Sequence, residues 1–364
     1  MRESQRRIFN LRLRGADALV LAATAWLAGA PAAWALTIDP TFDSSITSSP
    51  NVAAIESAIN SALGFYSAFT DPVTASIDFQ LAPNGSGYLG ASQSTYYLDS
   101  YAAYTAALLT DATTNANSVE LGAYNHLGTG NTAQQIIATS ADYRALDFIA
   151  PGTLNSSGNS GGTFDGVVYL NAAYLTGFGG GGSYSATPTI QHETNEVLGI
   201  GGSGSVLNTM QQNGLTSPPT YLVNGQLQTA IGPLDLYRYS ALSTPSLSTS
   251  TAAVSYFSLD GGATNIVGFN QCDLGDYADW ASSGNQCRTP VSSTTPLVQL
   301  AFTGQNSPAT MTLAAPEATA LQAIGYDLPA SVPVPEPAAA SLFGAGVIAL
   351  AISRRRRGRG PLGE

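Results

Sequence analysis

The segment Thr187 to Ile200 constrains this chain more than any other. It reads as a helix closed by Gly199, Gly201 and Gly202, since glycine past the last turn is a common helix stop. Within it, His192-Glu193-Thr194-Asn195-Glu196 places an imidazole and a carboxylate four positions apart. Residues so spaced share one helix face about a turn apart, so His192 and Glu196 can reach one metal ion. The chain has two histidines, His126 and His192, so its metal chemistry cannot rest on a cluster of imidazoles.

Both chain ends read as addresses. Arg2, Arg6, Arg7, Arg12 and Arg14 precede an apolar run from Ala18 to Ala30, and Ala33-Trp34-Ala35 is a small-x-small cleavage site. Residues 1–35 are therefore expected to be a secretory signal peptide, with the mature chain starting at Leu36. At the other end, residues 331–364 carry Val334-Pro335-Glu336-Pro337, an apolar stretch from Ala338 to Ile352, and Arg354 to Arg357 with Arg359. As a helix the apolar stretch would span about 22 Å, a transmembrane helix that needs help from its flanks. The arginines would stay cytoplasmic.

The body between these ends, residues 36–330, carries 15 Asp and 5 Glu against Arg144, Arg238 and Arg288, with no lysine anywhere in the chain. Such a surface repels nucleic acid and anionic membranes, so no nucleic-acid partner is expected. Cys272 and Cys287 form an even pair in an exported segment and are expected to be disulfide-bonded. Asp273, Asp276 and Asp279 recur every three residues after Asp260 and offer oxygen donors suited to calcium, though a solvated acidic loop explains them as well.

Apolar spacing predicts helices over Asn51–Phe69, Tyr96–Leu109 and Ala138–Ile149, and strands over Val73–Leu81 and Phe164–Leu170. The Asn- and Gly-rich stretch Thr113–Thr132 is expected to be loop, as is the glycine run Gly179–Gly182. Tyr256 to Gly262 reads as a strand entering an Asp-Gly turn, and Glu317 to Leu328 as a C-terminal helix.

The tripartite C-terminus resembles the PEP-CTERM sorting signal of Gram-negative bacteria. That resemblance implies an exosortase-type sorting enzyme as partner, transient residence in the inner membrane, loss of the tail, and delivery to the cell surface or an exopolysaccharide matrix. The helix His192 to Gly199, with the blocks Pro233 to Ser240, Tyr256 to Gly262, Gly275 to Trp280 and Glu317 to Leu328, is similar to a family of PEP-CTERM-sorted zinc metalloproteases. The implied fold is α+β: a metzincin-like domain with a twisted mixed sheet, an active-site helix and a C-terminal helix. The chain departs from the usual metzincin pattern in three places. Glu196 stands at the second ligand position, Gly202 at the third, and Met210 is a weak Met-turn candidate.

Read this way, zinc is the expected metal, held by His192, Glu196 and a third donor from elsewhere. Asp235 is the first candidate for that donor; it could equally pair with Arg238 or cap a helix. His126 is a second candidate, against a solvated loop histidine. Glu193 would act as general base on a metal-activated water and pass the proton to the leaving amine of a peptide substrate. Tyr239 could donate to the oxyanion, or simply pack. The competing expectation is a non-catalytic surface or matrix protein on a degenerate protease-like fold.

Overall fold

The structure, a computed structural model, describes residues 35–127, 135–207, 220–223, 226–272, 275–282 and 297–329. The signal segment, the sorting tail, Met210, Asp273, Cys287 and Arg288 lie outside the described residues. So does the expected Cys272–Cys287 bridge, although Cys272 itself is buried. No helix among the described residues is long and apolar enough to cross a membrane.

The architecture is α+β with mixed sheets. In chain order the elements are β1 (Thr37–Phe42), α1 (Ser44–Thr47), α2 (Val52–Leu63), β2 (Thr74–Leu81), β3 (Gly90–Ser94) and β4 (Tyr96–Ser100). Next come α3 (Tyr101–Thr114), α4 (Ser118–Tyr124), β5 (Gln135–Thr139), α5 (Ser140–Ala145), β6 (Gly166–Leu170) and α6 (Ala186–Leu198). The remainder is β7 (Thr220–Val223), β8 (Gln226–Ile231), β9 (Arg238–Ala241), β10 (Thr244–Pro245), β11 (Tyr256–Phe257), β12 (Val267–Gly268) and α7 (Pro316–Ala323).

The first sheet has the order β1-β2-β6-β3. β1, β2 and β6 run parallel, and β3 pairs antiparallel with β6 as an edge strand, from Gly90 opposite Leu170 to Ser94 opposite Gly166. Ala75, Ile77 and Phe79 alternate along β2 into the core, as period-two geometry requires. One sheet face carries α2 and α6, with Ile55 and Ile59 of α2 and Ile190 and Val197 of α6 fully buried. The other two sheets have orders β4-β5-β8-β7 and β10-β9-β11-β12.

Two expected helices begin as strands. Tyr96–Ser100 is β4, and the helix starts only at Tyr101, where the Ser100 hydroxyl caps Ala103 N–H. Gln135–Thr139 is β5, and Thr139 caps the short α5 in the same way. These two strands pair with each other, Tyr96 opposite Thr139, so a non-local ladder overrides a local helical reading. Within the expected loop Thr113–Thr132, Ser118–Tyr124 is helical because the Asn117 side chain caps it at Glu120 N–H. The other expected elements are present with shifted ends; α2 stops at Leu63 and continues as a 3₁₀ turn, Gly64–Ala68.

One ion pair ties the first sheet to α5. Arg144 donates to both oxygens of Asp165, at 2.9 and 2.8 Å, and to the carbonyls of Thr74 and Ala150. Asp165 also accepts from Ser76 N–H and Ser140 Oγ. Asp165→Ala would strand the partly buried guanidinium and is expected to destabilise the domain by about 3 kcal/mol. The expected readout is a lower urea midpoint with an unchanged slope.

Candidate metal centre

Helix α6 is buried almost all round although much of it is polar. That is tolerable because its inward polar groups have partners. Gln191 donates to Ala62 O and accepts from Met311 N–H, Thr194 Oγ donates to Ile190 O, and Asn195 Oδ1 accepts from Tyr66 OH. The remaining face turns His192, Glu193 and Glu196 toward a cleft of about 730 Å³. Gly199 ends the helix in the left-handed region, φ +107°, where a side chain would be strained. The chain then doubles back, so that Gly202 N–H donates to Glu196 Oε1 at 3.1 Å.

His192, Glu196 and Asp279 bring their ligand atoms within 4.8 Å of one another, an arrangement that could hold a metal ion. His192 Nε2 lies 3.5 Å from Glu196 Oε1 and 3.6 Å from Asp279 Oδ2. Charge-assisted hydrogen bonds run at about 2.7–2.9 Å, so these separations are long for direct pairing. They match the edge of a tetrahedron around an ion bonded at about 2.1 Å, which is about 3.4 Å. His192 Nδ1 faces Val298 O at 3.1 Å, so Nδ1 carries a proton and Nε2 is the nitrogen turned toward the carboxylates, where an ion could replace its proton.

Each donor is held from behind. Glu196 Oε2 accepts from Ser92 Oγ on β3 at 2.6 Å. Asp279 Oδ1 accepts from Gln299 Nε2 at 2.9 Å, and Gln299 Oε1 accepts from Asn195 on α6. Glu317, near the start of α7, accepts from the N–H groups of Val298 and Gln299 with one oxygen, fixing the segment that orients both His192 and Asp279. Trp280, fully buried among Phe257 and Phe269, anchors Asp279 by bridging to Phe269 and Leu300.

The electrostatics are those of a crowded acidic pocket. Burial disfavours a charged His192, yet Asp279, with Glu196 and Glu193, outweighs it and holds the imidazole pKa well above its usual value. Glu193 is pushed well up by burial and then by the charge of Glu196. Asp279 is raised by burial, against the opposing pull of His192. Glu196 is lowered despite its burial, because His192, Ser92 and Gly202 N–H all favour its charged form. Glu193 lines the cleft beside the triad and lies against Gly90 of β3, where an added Cβ would meet its Oε1 at 2.5 Å.

The structure separates the expected site residues. His192, Glu193 and Glu196 share the cleft, and the carboxylate that stands beside His192 and Glu196 is that of Asp279, not Asp235. Asp235 is fully buried elsewhere: its carboxylate accepts from Ser205 Oγ and Gly232 N–H, and so caps the 3₁₀ turn Pro233–Tyr237. Tyr239 donates to the His126 carbonyl, a packing contact away from the cleft. His126 is exposed, with its ring against Gly122 O. Of the acidic run, Asp276 and Asp279 both line the cleft, and Asp273 lies outside the described residues. Gly202 has no side chain to ligate, and a Cβ there would meet Glu196 Oε1 at 2.6 Å and so displace that carboxylate. Tyr96 was read only as helix. Its hydroxyl contacts Ser203 Oγ at 2.7 Å, and burial, with the charge of Glu196 nearby, pushes its pKa up to about 12.

No protein-family model matches the chain, and neither a curated protein nor a solved structure does.

Asp279→Ala is expected to abolish stoichiometric metal binding, whereas Asp235→Ala should lower stability and leave the metal in place. Gln299→Ala, which removes the donor behind Asp279 and the acceptor for Asn195, should weaken metal affinity about 10–100-fold with unchanged circular dichroism. Competition titration against a chromophoric chelator measures all three.

Proposed function

We propose that this chain is an exported zinc metallopeptidase related to the metzincins, sorted to the cell surface or matrix through its C-terminal signal. The observation that carries the reading is the convergence of His192, Glu196 and Asp279 at tetrahedral spacing in an open cleft, with Glu193 beside them. The donor set, one imidazole with its tautomer fixed and two carboxylates, is a legitimate zinc set that leaves a position open. Bound there, zinc would supply Lewis acidity toward water and the scissile carbonyl.

The chain's own groups supply the rest. β3 is an edge strand whose residues Gly90 to Ser92 line the cleft, so an extended peptide can add to the sheet beside His192. Glu193 takes the proton of the water that adds to the scissile carbon and delivers it to the nitrogen as the C–N bond breaks. Tyr174, Tyr184, Leu300 and Phe302 also line the cleft, which favours peptides with apolar or aromatic side chains.

Elemental mass spectrometry of the purified chain should find about one zinc, lost in the His192→Ala, Glu196→Ala double variant. Glu193→Gln should keep the metal and lower peptide hydrolysis at least about 100-fold. Full activity in Glu193→Gln would overturn the assigned mechanism, and a wild-type chain with no metal and no hydrolysis would favour a matrix scaffold.

A further inference from the structure

A second group of carboxylates lies outside the cleft and has no role in the proposed hydrolysis. Asp111 in the last turn of α3, Glu120 in α4 and Asp327 just after α7 place ligand oxygens within 4.8 Å of one another. Asp71 adjoins them, its Oδ2 accepting from Asp327 N–H at 2.9 Å. All four are buried, Glu120 completely.

Acidic clusters are common, and this one is distinguished by what it lacks. Both carboxylate oxygens of Glu120 are buried without a hydrogen-bond partner, as are Asp111 Oδ2 and Asp327 Oδ1. A buried carboxylate normally accepts from two or more donors, and leaving one bare costs several kcal/mol. Nor does a cation sit among them. Among the described residues the ion pairs are Arg144 with Asp165 and His192 with Glu196 and Asp279. Arg238 is committed to Tyr277 O, Gln271 and the ring of Phe269.

We propose that Asp111, Glu120 and Asp327, with Asp71 at their edge, form a structural calcium site, separate from the cleft. The donors are all oxygen, which excludes a preference for zinc or copper and selects a hard cation. Calcium bonds oxygen at about 2.3–2.6 Å, so donors up to about 4.6–5.2 Å apart can share one ion, and these lie within 4.8 Å of one another. Magnesium would require a smaller, near-octahedral shell and holds its waters more tightly. Without an ion the site is strained: burial, with mutual repulsion, raises Asp111 to about 7, Asp71 to about 8 and Glu120 to about 11. The rival arrangement is a proton shared between Asp111 and Glu120, with no metal at all.

The site would join three parts of the chain far apart in sequence. Asp327 is already held to the Thr70–Asp71 turn, since Thr70 N–H donates to its carbonyl at 2.8 Å. An ion would add α3 and α4 to that junction, clamping the end of the domain to its middle.

The test is calcium binding to the EDTA-treated full-length chain by equilibrium dialysis, with thermal unfolding read in parallel. The expected result is one calcium per chain and a midpoint about 5 °C higher at saturation. Both effects should vanish in Glu120→Gln, Asp327→Asn and persist in His192→Ala, Glu196→Ala, which separates this site from the proposed catalytic one. Equal calcium binding by wild type and the amide variant would overturn the proposal. So would the absence of saturable binding at calcium well above about 1 mM, the upper range for extracellular modules, the result a shared proton predicts. Should the amide variant not fold, Asp111→Asn replaces it, and the wild-type titration alone can still refute the site.

Discussion

Buried negative charge with too few positive partners is the constraint on which the rest of this molecule turns. The body carries 20 acidic residues and three arginines. Arg144 is spent on Asp165, and Arg238 lies near Asp235, stacked on Phe269 and bonded to backbone. That leaves the cleft with one imidazole facing Glu193, Glu196 and Asp279, and the α3–α4–α7 junction with no basic group among the described residues. A low-dielectric site tolerates clustered carboxylates only if they take up protons or share a cation. The cleft's geometry favours the cation, since its donors stand too far apart to hydrogen-bond one another well and at the right distance to enclose an ion.

What holds that geometry is a chain of ordinary contacts reaching well beyond the motif. Gly199 turns the backbone so that Gly202 can cap the Glu196 carboxylate. Glu317 pins the backbone of Val298 and Gln299, whose carbonyl and side chain orient His192 and Asp279 respectively. The Phe257, Phe269 and Trp280 cluster sets the depth of Asp279. The C-terminal helix thus contributes to the centre without touching it, a reason for the fold to keep that helix close to the cleft.

The part of this that was legible in the sequence was the part that is local. A helix with donors at i and i+4 and a glycine stop announces itself within a dozen residues, and His192, Glu193 and Glu196 fell where the spacing placed them. Asp279 lies 87 residues from His192, and nothing local distinguishes it from Asp235, which has an equally suggestive aromatic setting. The usable signal was the neighbouring tryptophan: a large buried ring beside an aspartate in a glycine-rich loop fixes that loop against the core. β4 and β5 were misread for the same reason, because each satisfies its backbone through the other across about 40 residues. Glu120 was overlooked because it sits in a stretch whose Asn and Gly content reads as loop, while its environment is made by α3 and by residues near the end of the domain.

On the proposed readings, the two clusters would sort metals by donor chemistry. The cleft offers an imidazole nitrogen beside two carboxylates, with edges near 3.5 Å, which suits a small borderline cation. The junction offers only carboxylate oxygens, which suit a hard cation. With two carboxylates and one imidazole, the cleft ion would carry less effective positive charge than one held by three imidazoles, so its Lewis acidity would be weaker. In the proposed hydrolysis more of the proton transfer would then rest on Glu193. The acidic crowding that would hold an ion in the cleft would thus also temper its Lewis acidity.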